Sequence, residues 1–193
     1  MGNKIKETQY EDLENTQGRD SFETPNYATR LLIPYIPENI KTVWECACGN
    51  GKISSILAKE NKYTIINSDL KYSESYNFLT MELPKELDKS KSCIITNPPF
   101  SLKRRFYDRC KFHGIPFALL IPADYAGWII DALRFDNAEK IIPTRRVDYI
   151  TPTGLSGASG HTSNFHSLWL TWGFGLGKTE TFVELTNEMK KDV

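Results

Sequence analysis

Apolar and polar positions along this chain follow two alternating patterns. Short, nearly continuous apolar runs predict buried strands, and between them apolar residues recur at helical spacing. Strands that alternate with helices in this way indicate a mostly parallel sheet covered on both faces. The predicted strands cover residues 42–46, 63–67, 92–96, 117–121, 146–150 and 168–172, and the predicted helices lie near 25–34, 53–57, 102–112 and 127–135.

Two stretches of the chain lack such a pattern. Residues 1–20 are polar with alternating charges, which predicts a disordered or loosely attached arm before a single domain at residues 21–193. Residues 151–164 are rich in Gly, Ser and Thr, which predicts a long mobile loop. At the start of the domain, Thr24 is predicted to cap a helix whose first residue is Pro25.

The composition predicts a soluble cytoplasmic protein. The apolar share of 40% and the charged share of 25% are ordinary. No apolar run approaches the roughly 20 residues of a membrane span, and the polar start predicts no signal peptide. The four cysteines lack metal-site spacing, so we expect buried, reduced thiols. We expect no metal site, and the scattered His113, His161 and His166 are predicted loop or surface residues.

Charge narrows the range of partners. The chain carries 24 basic and 24 acidic side chains and a net charge of zero. Balanced charge argues against strong, indiscriminate binding of nucleic acid, because that binding rests on an excess of basic groups. It leaves room for a local basic face.

Polar or glycine-rich residues follow three of the predicted strands. Gly49-Asn50-Gly51 follows the first strand, Asp69 follows the second, and Asn97 follows the third. In sheets of this type, ligands bind outside the carboxyl ends of the strands. We therefore expect these three groups to lie together, and a constellation is stronger evidence than any one of them.

The first two groups suit a nucleoside. Glycines let the backbone turn sharply and approach a ligand closely, and a carboxylate such as Asp69 can accept both ribose hydroxyl protons. No phosphate-gripping lysine motif is present, and Ser54 occupies the last position of an incomplete GxGxxG. A nucleoside with a small charged tail fits better than a dinucleotide. The alternatives are a glycine turn without a ligand and a solvated turn aspartate.

The turn Asn97-Pro98-Pro99-Phe100 suits a planar heterocycle with an exocyclic amine. Proline fixes φ and lacks an N–H group, so the turn is rigid and its carbonyl groups stay free. The Asn97 side-chain oxygen and the Pro98 carbonyl can accept the two amine protons, which pulls the lone pair back onto nitrogen. Phe100 can stack on the ring. The alternative is a buried strand that ends in a proline-stiffened turn.

Taken together, these motifs resemble the S-adenosylmethionine-dependent methyltransferases that act on the N6 amino group of adenine. The likeness extends over roughly residues 20–175, and the motif order resembles the small gamma-type and phage-type DNA enzymes. It implies a three-layer Rossmann-like methyltransferase fold with a mostly parallel seven-stranded sheet and an antiparallel last strand. The matching stretches are Thr24-Pro25, Glu45-Cys46-Ala47-Cys48-Gly49-Asn50-Gly51, Asp69, Asn77-Phe78-Leu79 and Asn97-Pro98-Pro99-Phe100.

The resemblance implies a role for each matching residue. Thr24, Pro25 and the glycine turn would hold the methionine part of S-adenosylmethionine, and Asp69 would hold the ribose. Asn77 stands where the family often has an aspartate. Its side-chain oxygen can still accept a hydrogen bond from the amino group of the cofactor's adenine. The implied cofactor-binding set is Thr24, Pro25, Glu45, Ala47, Cys48, Gly49, Gly51, Asp69, Leu70, Asn77 and Phe78, and the implied catalytic set is Asn97, Pro98, Pro99 and Phe100.

The substrate is expected to be a nucleic acid, with DNA preferred to RNA. A duplex substrate would require base flipping and basic side chains that grip its backbone. Candidates for that grip are Lys103, Arg104, Arg105, Arg145 and Arg146. The chain has no room for a separate recognition domain, so specificity would come from loops or from a homodimer or partner subunit. A catalytically silent nucleic-acid-binding subunit is the alternative from another functional class.

Overall fold

The computed structural model describes residues 22–151, 154–155 and 165–193. The strands are β1 (Thr42–Glu45), β2 (Thr64–Asn67), β3 (Ser92–Thr96), β4 (Phe117–Pro122), β5 (Glu139–Pro143), β6 (Ile150–Thr151), β7 (Gly154–Leu155), β8 (Ser167–Trp172) and β9 (Glu180–Val183). The α-helices are α1 (Asn26–Leu32), α2 (Lys52–Ala58), α3 (Lys103–His113) and α4 (Gly127–Phe135). The predicted arm at residues 1–20 and most of the predicted loop at 151–164 lie outside the described residues.

Seven strands form one sheet in the order β2-β1-β3-β4-β8-β5-β9. Every neighbouring pair is parallel except the two that involve β8, which runs antiparallel to both β4 and β5. The carboxyl ends of β1, β2, β3 and β4 therefore meet at one edge of the sheet, and β8 begins at that same edge. The short strands β6 and β7 form a separate antiparallel hairpin.

Side-chain alternation along the central strands builds a core on each face of the sheet. In β1, Val43 lies in a cluster with residues of α1 and α2, whereas Trp44 lies in a cluster with residues of α3 and α4. In β3, Ile95 and Ile94 divide in the same way. Successive residues of a strand point to opposite faces, so a strand buried on both sides reads as a continuous apolar run. The predicted three-layer α/β architecture is confirmed.

The predicted boundaries hold best in the buried centre of the sheet. The structure has the predicted bounds of 92–96 for β3 and 127–135 for α4. The predicted strand at 146–150 is wrong. Val147 and Tyr149 are both fully buried and so mimic a strand pattern, but the backbone between them pairs with a side chain. The Asp148 N–H donates to the Tyr27 hydroxyl at 2.7 Å, and that hydroxyl donates to the Asp148 carbonyl at 3.4 Å.

The sequence pattern did not predict two strands of the sheet, β5 and β9. β5 has only two apolar residues before its terminal Pro143, and β9 is an edge strand whose Phe182 is 66% exposed. Neither shows the buried run on which the other assignments rest.

Two predicted local roles are also wrong. Pro25 is the N-cap of α1 and has an extended backbone (φ −67°, ψ 149°), so the helix begins at Asn26 and Thr24 does not cap it. His113 was predicted at the surface, but it is only 2% exposed and packs edge-on against Trp44. Burial lowers the pKa of His113 to about 4, so its ring is neutral. His161 lies outside the described residues.

Candidate active site at the carboxyl edge of the sheet

Three neighbouring strands bring the predicted site residues to one cleft. Glu45 ends β1, Asp69 lies two residues beyond β2, and Asn97 follows β3 directly. Because β2, β1 and β3 are adjacent and parallel, these side chains converge at the same edge. The cleft between them is lined by Phe22, Glu23, Thr24, Glu45, Ala47, Cys48, Gly49, Asn50, Lys52, Ile53, Asp69, Lys71, Asn97 and Pro99.

The glycine turn contributes Gly49 and Asn50 to the cleft, in a backbone conformation that other residues rarely adopt. Gly49 has φ +52° and Gly51 has φ +74°, both in the left-handed region. No heavy atom beyond the chain neighbours lies within 4 Å of the place where a Cβ would stand on either residue. The requirement for glycine is therefore conformational, because side chains are costly at positive φ. The open space above the turn is available to a ligand.

Glu45 is a buried carboxyl group at the bottom of the cleft. It is 2% exposed, and one of its oxygens accepts the Ser54 N–H at 2.8 Å and also hydrogen-bonds the Ser54 hydroxyl. Burial raises the pKa of Glu45 to about 8, the Ser54 hydrogen bonds counteract part of this rise, and the nearby Asp69 charge adds to it. A buried acid of this kind gains most from a cationic partner, because a positive charge restores the ionised form.

Asp69 holds the glycine turn against the loop that follows β2. One carboxylate oxygen accepts the Gly49 N–H at 2.7 Å, and the other accepts the Lys71 N–H at 2.9 Å. The Tyr72 hydroxyl donates to the Gly49 carbonyl at 2.8 Å, which adds a second tie. An ionised carboxylate has about four acceptor positions, so Asp69 keeps capacity for hydroxyl donors in the cleft. The predicted ribose contact stays a prediction.

Asn97 presents a buried acceptor without a partner. Its side-chain nitrogen donates to the Phe22 carbonyl at 2.8 Å. Its side-chain oxygen is buried and accepts no hydrogen bond from any described residue. A buried oxygen in this state is available to a donor that enters the cleft.

The two proline carbonyls of the turn differ. The Pro99 carbonyl accepts the Leu102 N–H at 2.9 Å and so starts the short 3-10 turn before α3. Within the described residues no donor reaches the Pro98 carbonyl. Pro98 is buried and Pro99 lines the cleft. The turn therefore offers Asn97 Oδ1 as an acceptor and leaves a backbone carbonyl beside it unpaired.

Phe100 sits in a cluster of four aromatic rings. It stacks on Phe22 with ring centroids 5.2 Å apart and an interplanar angle of 20°. Tyr149 and Phe165 approach it edge-on, at 5.6 Å and 5.4 Å. The predicted stacking surface for a base is thus covered by another part of the chain.

The remaining predicted cofactor residues lie farther from the cleft opening. Asn77 Oδ1 accepts the Leu79 N–H at 3.1 Å, as in a turn residue. Phe78 is 2% exposed and packs edge-on against Trp44, with ring centroids 5.3 Å apart. In the part of the chain that the structure describes, the cleft lining includes neither of these residues, nor Pro25, Gly51 or Leu70. Their contacts with a cofactor stay predictions.

Sequence reasoning missed several residues of the cleft. Phe22 and Glu23 precede the Thr-Pro signal, and Lys71 follows Asp69 without a motif of its own. Lys71 Nζ donates to the Asn50 side-chain oxygen at 2.8 Å, and the Asn50 amide donates to Glu23. This chain of contacts closes one side of the cleft. Only the charge of Lys71 next to Asp69 hinted at it.

The predicted basic residues of α3 are largely engaged within the protein. Lys103 pairs with Asp124 at 2.5 Å, and Arg104 pairs with Asp108 at 2.9 Å. Arg105 is exposed and has no ion pair within the described residues. The helix therefore offers less free positive charge than its sequence indicates.

Arg145 and Arg146 lie instead in a second concavity, beyond the end of β5. It is lined by Thr144, Arg145, Arg146, His166, Asn187 and Lys190. His166 Nε2 lies 2.7 Å from the Pro143 carbonyl, and Lys190 pairs with Asp148 at 2.6 Å. His166 and Lys190 come from distant segments, so sequence patterns did not associate them with the two arginines. The concavity is a basic site near the same edge of the sheet.

The described residues also limit other kinds of site. Within residues 22–151, 154–155 and 165–193, no group of three or more His, Cys, Asp or Glu side chains could hold a metal ion. Over the same residues, no helix has the length and apolar character needed to cross a membrane. All four cysteines are buried and form no disulfide.

Comparisons with known proteins support the fold. No protein-family model and no curated protein sequence matches this chain. Its structure is similar to the type I restriction-modification system methyltransferase subunit from Streptococcus thermophilus, with a TM-score of 0.58 and 12% sequence identity. The match covers 94% of this chain and 55% of that subunit, so the chain spans about half the length of the structure that it resembles. The sheet and this likeness define a three-layer α/β chain with a Rossmann-like methyltransferase fold.

Proposed function

We propose that this protein transfers a methyl group from S-adenosylmethionine to the N6 amino group of adenine in DNA. One observation carries the proposal. The side-chain oxygen of Asn97 is a buried acceptor without a partner, at a cleft whose other walls carry Glu45 and Asp69. An acceptor kept unpaired at this position is suited to a substrate N–H group.

The cleft fits S-adenosylmethionine in charge and in shape. Glu45 offers a carboxylate for the ammonium group of the methionine part. Burial raises the pKa of Glu45 to about 8, and a cation beside it would favour the ionised form. Asp69 offers acceptors for ribose hydroxyl groups. The open space over Gly49, which lines the cleft, lets a ligand approach the backbone closely. When bound, the cofactor supplies an electrophilic methyl group on sulfur.

The Asn-Pro-Pro-Phe turn acts on the amine. The nitrogen lone pair of adenine's exocyclic amine is delocalised into the ring, so the free amine is a weak nucleophile. Asn97 Oδ1 and the Pro98 carbonyl accept the two N–H groups and favour a tetrahedral nitrogen with a localised lone pair. The prolines fix the backbone of the turn and the Phe22 carbonyl holds the Asn97 amide, so both acceptors are restrained before a positive charge develops on this nitrogen. Adjacent strands β1 and β3 hold the two halves of the site in fixed register.

DNA is the substrate that we favour. The structurally similar subunit belongs to a restriction-modification system, and the concavity that Arg145 and Arg146 help to line suits backbone phosphates. The alternative within enzymes is an RNA adenine methyltransferase. A catalytically silent nucleic-acid-binding subunit fits less well, because such a subunit has no need of the intact Asn97-Pro98-Pro99-Phe100 turn.

The direct test incubates the protein with methyl-labelled S-adenosylmethionine and with DNA, RNA or peptide pools, then digests each pool and identifies the labelled product. We expect N6-methyladenine from DNA. Label found only in RNA or in glutamine would overturn the choice of polymer. Absence of label in every pool would overturn the proposed function.

A variant at Asn97 tests the role of its unpaired side-chain oxygen. We expect Asn97→Ala to abolish transfer, while calorimetry shows little change in S-adenosylmethionine affinity. The matched control is Asn39→Ala, because Asn39 also donates its amide N–H to a backbone carbonyl, that of Ser90, at 2.9 Å and outside the cleft. Full activity in Asn97→Ala would refute the role of the side-chain oxygen.

A further inference from the structure

The Phe22 ring lies where a flipped base would be expected to stack. Phe22 is the one described residue whose ring stacks nearly parallel on Phe100, 5.2 Å between centroids and 20° between planes. The other two neighbours of Phe100 are perpendicular or steeply tilted, at 88° for Phe165 and 74° for Tyr149. Planar bases stack on aromatic side chains in the same near-parallel manner. A base on this face of Phe100 and the Phe22 ring therefore exclude one another.

The backbone of Phe22 is held more firmly than its side chain. Its carbonyl accepts the Asn97 amide N–H at 2.8 Å. The next residue, Glu23, pairs with Ile150 through both backbone groups, at 2.9 Å and 3.0 Å, and its carboxylate accepts a hydrogen bond from Asn50. The Phe22 ring makes apolar contacts: it touches the rings of Phe100, Tyr149 and Phe165 and packs, partly buried, against the hydrophobic core. Rotation of the ring would break these apolar contacts and would leave the backbone hydrogen bonds intact.

The Phe22 carbonyl also decides which end of the Asn97 amide faces the cleft. With the amide nitrogen bound to a carbonyl, the side-chain oxygen must be the free end, because two oxygens at 2.8 Å would repel. Displacement of the whole segment would release this orientation and with it the acceptor for the substrate amine. A movement limited to the ring keeps the acceptor in place.

Resting on the proposed function, we propose that Phe22 is a gate to the base-binding site. Its ring occupies the base position in the free protein and rotates away when a planar base enters. Its carbonyl stays on the Asn97 amide and orients it throughout. Phe22 is thus a positioning residue through its backbone and a barrier to entry through its side chain. An occupant must regain the stacking on Phe100 that the Phe22 ring gives up, which favours flat heterocycles.

Variants at Phe22 separate the two roles. Phe22→Ala removes the ring and keeps the carbonyl, so the KM for unmethylated random-sequence duplex DNA should fall by about two- to tenfold, the scale of one aromatic pair. The change should appear in KM rather than in kcat. Phe22→Leu keeps apolar bulk without stacking and should give a smaller fall. Phe182→Ala is the control, because that ring is 66% exposed on the edge strand β9.

A binding measurement makes the test independent of methyl transfer. The fluorescent nucleoside 2-aminopurine riboside is titrated into the wild-type protein, into the two Phe22 variants and into Phe182→Ala. Tighter binding to Phe22→Ala than to wild type, with Phe22→Leu between them, would support the gate even if the wild-type protein methylated no DNA. Equal binding, or a KM that is unchanged or higher in Phe22→Ala, would overturn it. If Phe22→Ala does not fold in a thermal melt, the same criteria apply to Phe22→Leu.

Discussion

The buried carboxyl group of Glu45 provides a prediction in which stability and ligand binding oppose one another. Burial raises the pKa of Glu45 from an ordinary 4.5 to about 8. Its protonated form is therefore favoured in the folded protein. The stability that depends on a protonated Glu45 is fully present below pH 4.5, the ordinary pKa of the group. It is lost as the pH rises through about 8, the pKa in the folded protein.

The size of the effect follows from the pKa. Each pH unit between the unfolded and folded pKa values changes the free energy of unfolding by about 1.4 kcal/mol. At pH 7 the ionisable side chain should therefore lower stability by about 3 kcal/mol relative to a permanently neutral one. Glu45→Gln supplies that neutral side chain, because a Gln oxygen can still accept the Ser54 N–H.

The assay is chemical denaturation of the wild-type protein and of Glu45→Gln at pH 5, 6, 7 and 8. We expect similar stability at pH 5 and a widening advantage for Glu45→Gln as the pH rises. Parallel pH profiles for the two proteins would refute a raised pKa at Glu45.

The same variant should lose cofactor affinity. If the Glu45 carboxylate binds the ammonium group of S-adenosylmethionine, the carboxyl group must ionise before the ligand binds. Wild-type affinity should then rise by up to about tenfold between pH 6 and pH 7, whereas Glu45→Gln should bind weakly at both values. Calorimetry measures this directly. A more stable variant with unchanged affinity would place the ammonium group elsewhere in the cleft.

Three further predictions concern the glycine turn and the basic concavity. Asp69→Ala should weaken S-adenosylmethionine binding in calorimetry. The control Asp88→Ala should not, although Asp88 also accepts a backbone N–H, that of Ser90. Equal affinities of the two variants would make Asp69 a turn residue only. Gly51→Ala should lower the free energy of unfolding by about 1–2 kcal/mol, because Gly51 has a positive φ. Gly127→Ala should not lower it. Equal effects of the two substitutions in chemical denaturation would contradict the conformational explanation. Arg145→Ala should reduce the salt dependence of DNA binding by roughly one phosphate contact; an unchanged slope in a salt titration would remove Arg145 from the interface.

Elements with a clear apolar pattern were open to prediction from sequence. The strand β3 and the helix α4 have the predicted bounds because they carry long apolar signals with clear breaks. The edge strand β9 and the segment around Asp148 were misassigned because tertiary partners decide their conformation. In the second case, the Tyr27 hydroxyl supplies the hydrogen bonds that a neighbouring strand would otherwise supply.

The candidate site was also predictable from sequence only in part. The sequence predicted that the glycine turn, Asp69 and Asn97 lie at one edge, because parallel strands align their carboxyl ends and each of these groups follows such a strand. Only the tertiary structure joined Phe22 to Asn97 across 75 positions, gathered Lys190 and His166 around Arg145, and buried Glu45 deeply enough to raise its pKa. Those features depend on which distant segments pack together. Periodicity and spacing record local structure, so they carry no information about such contacts.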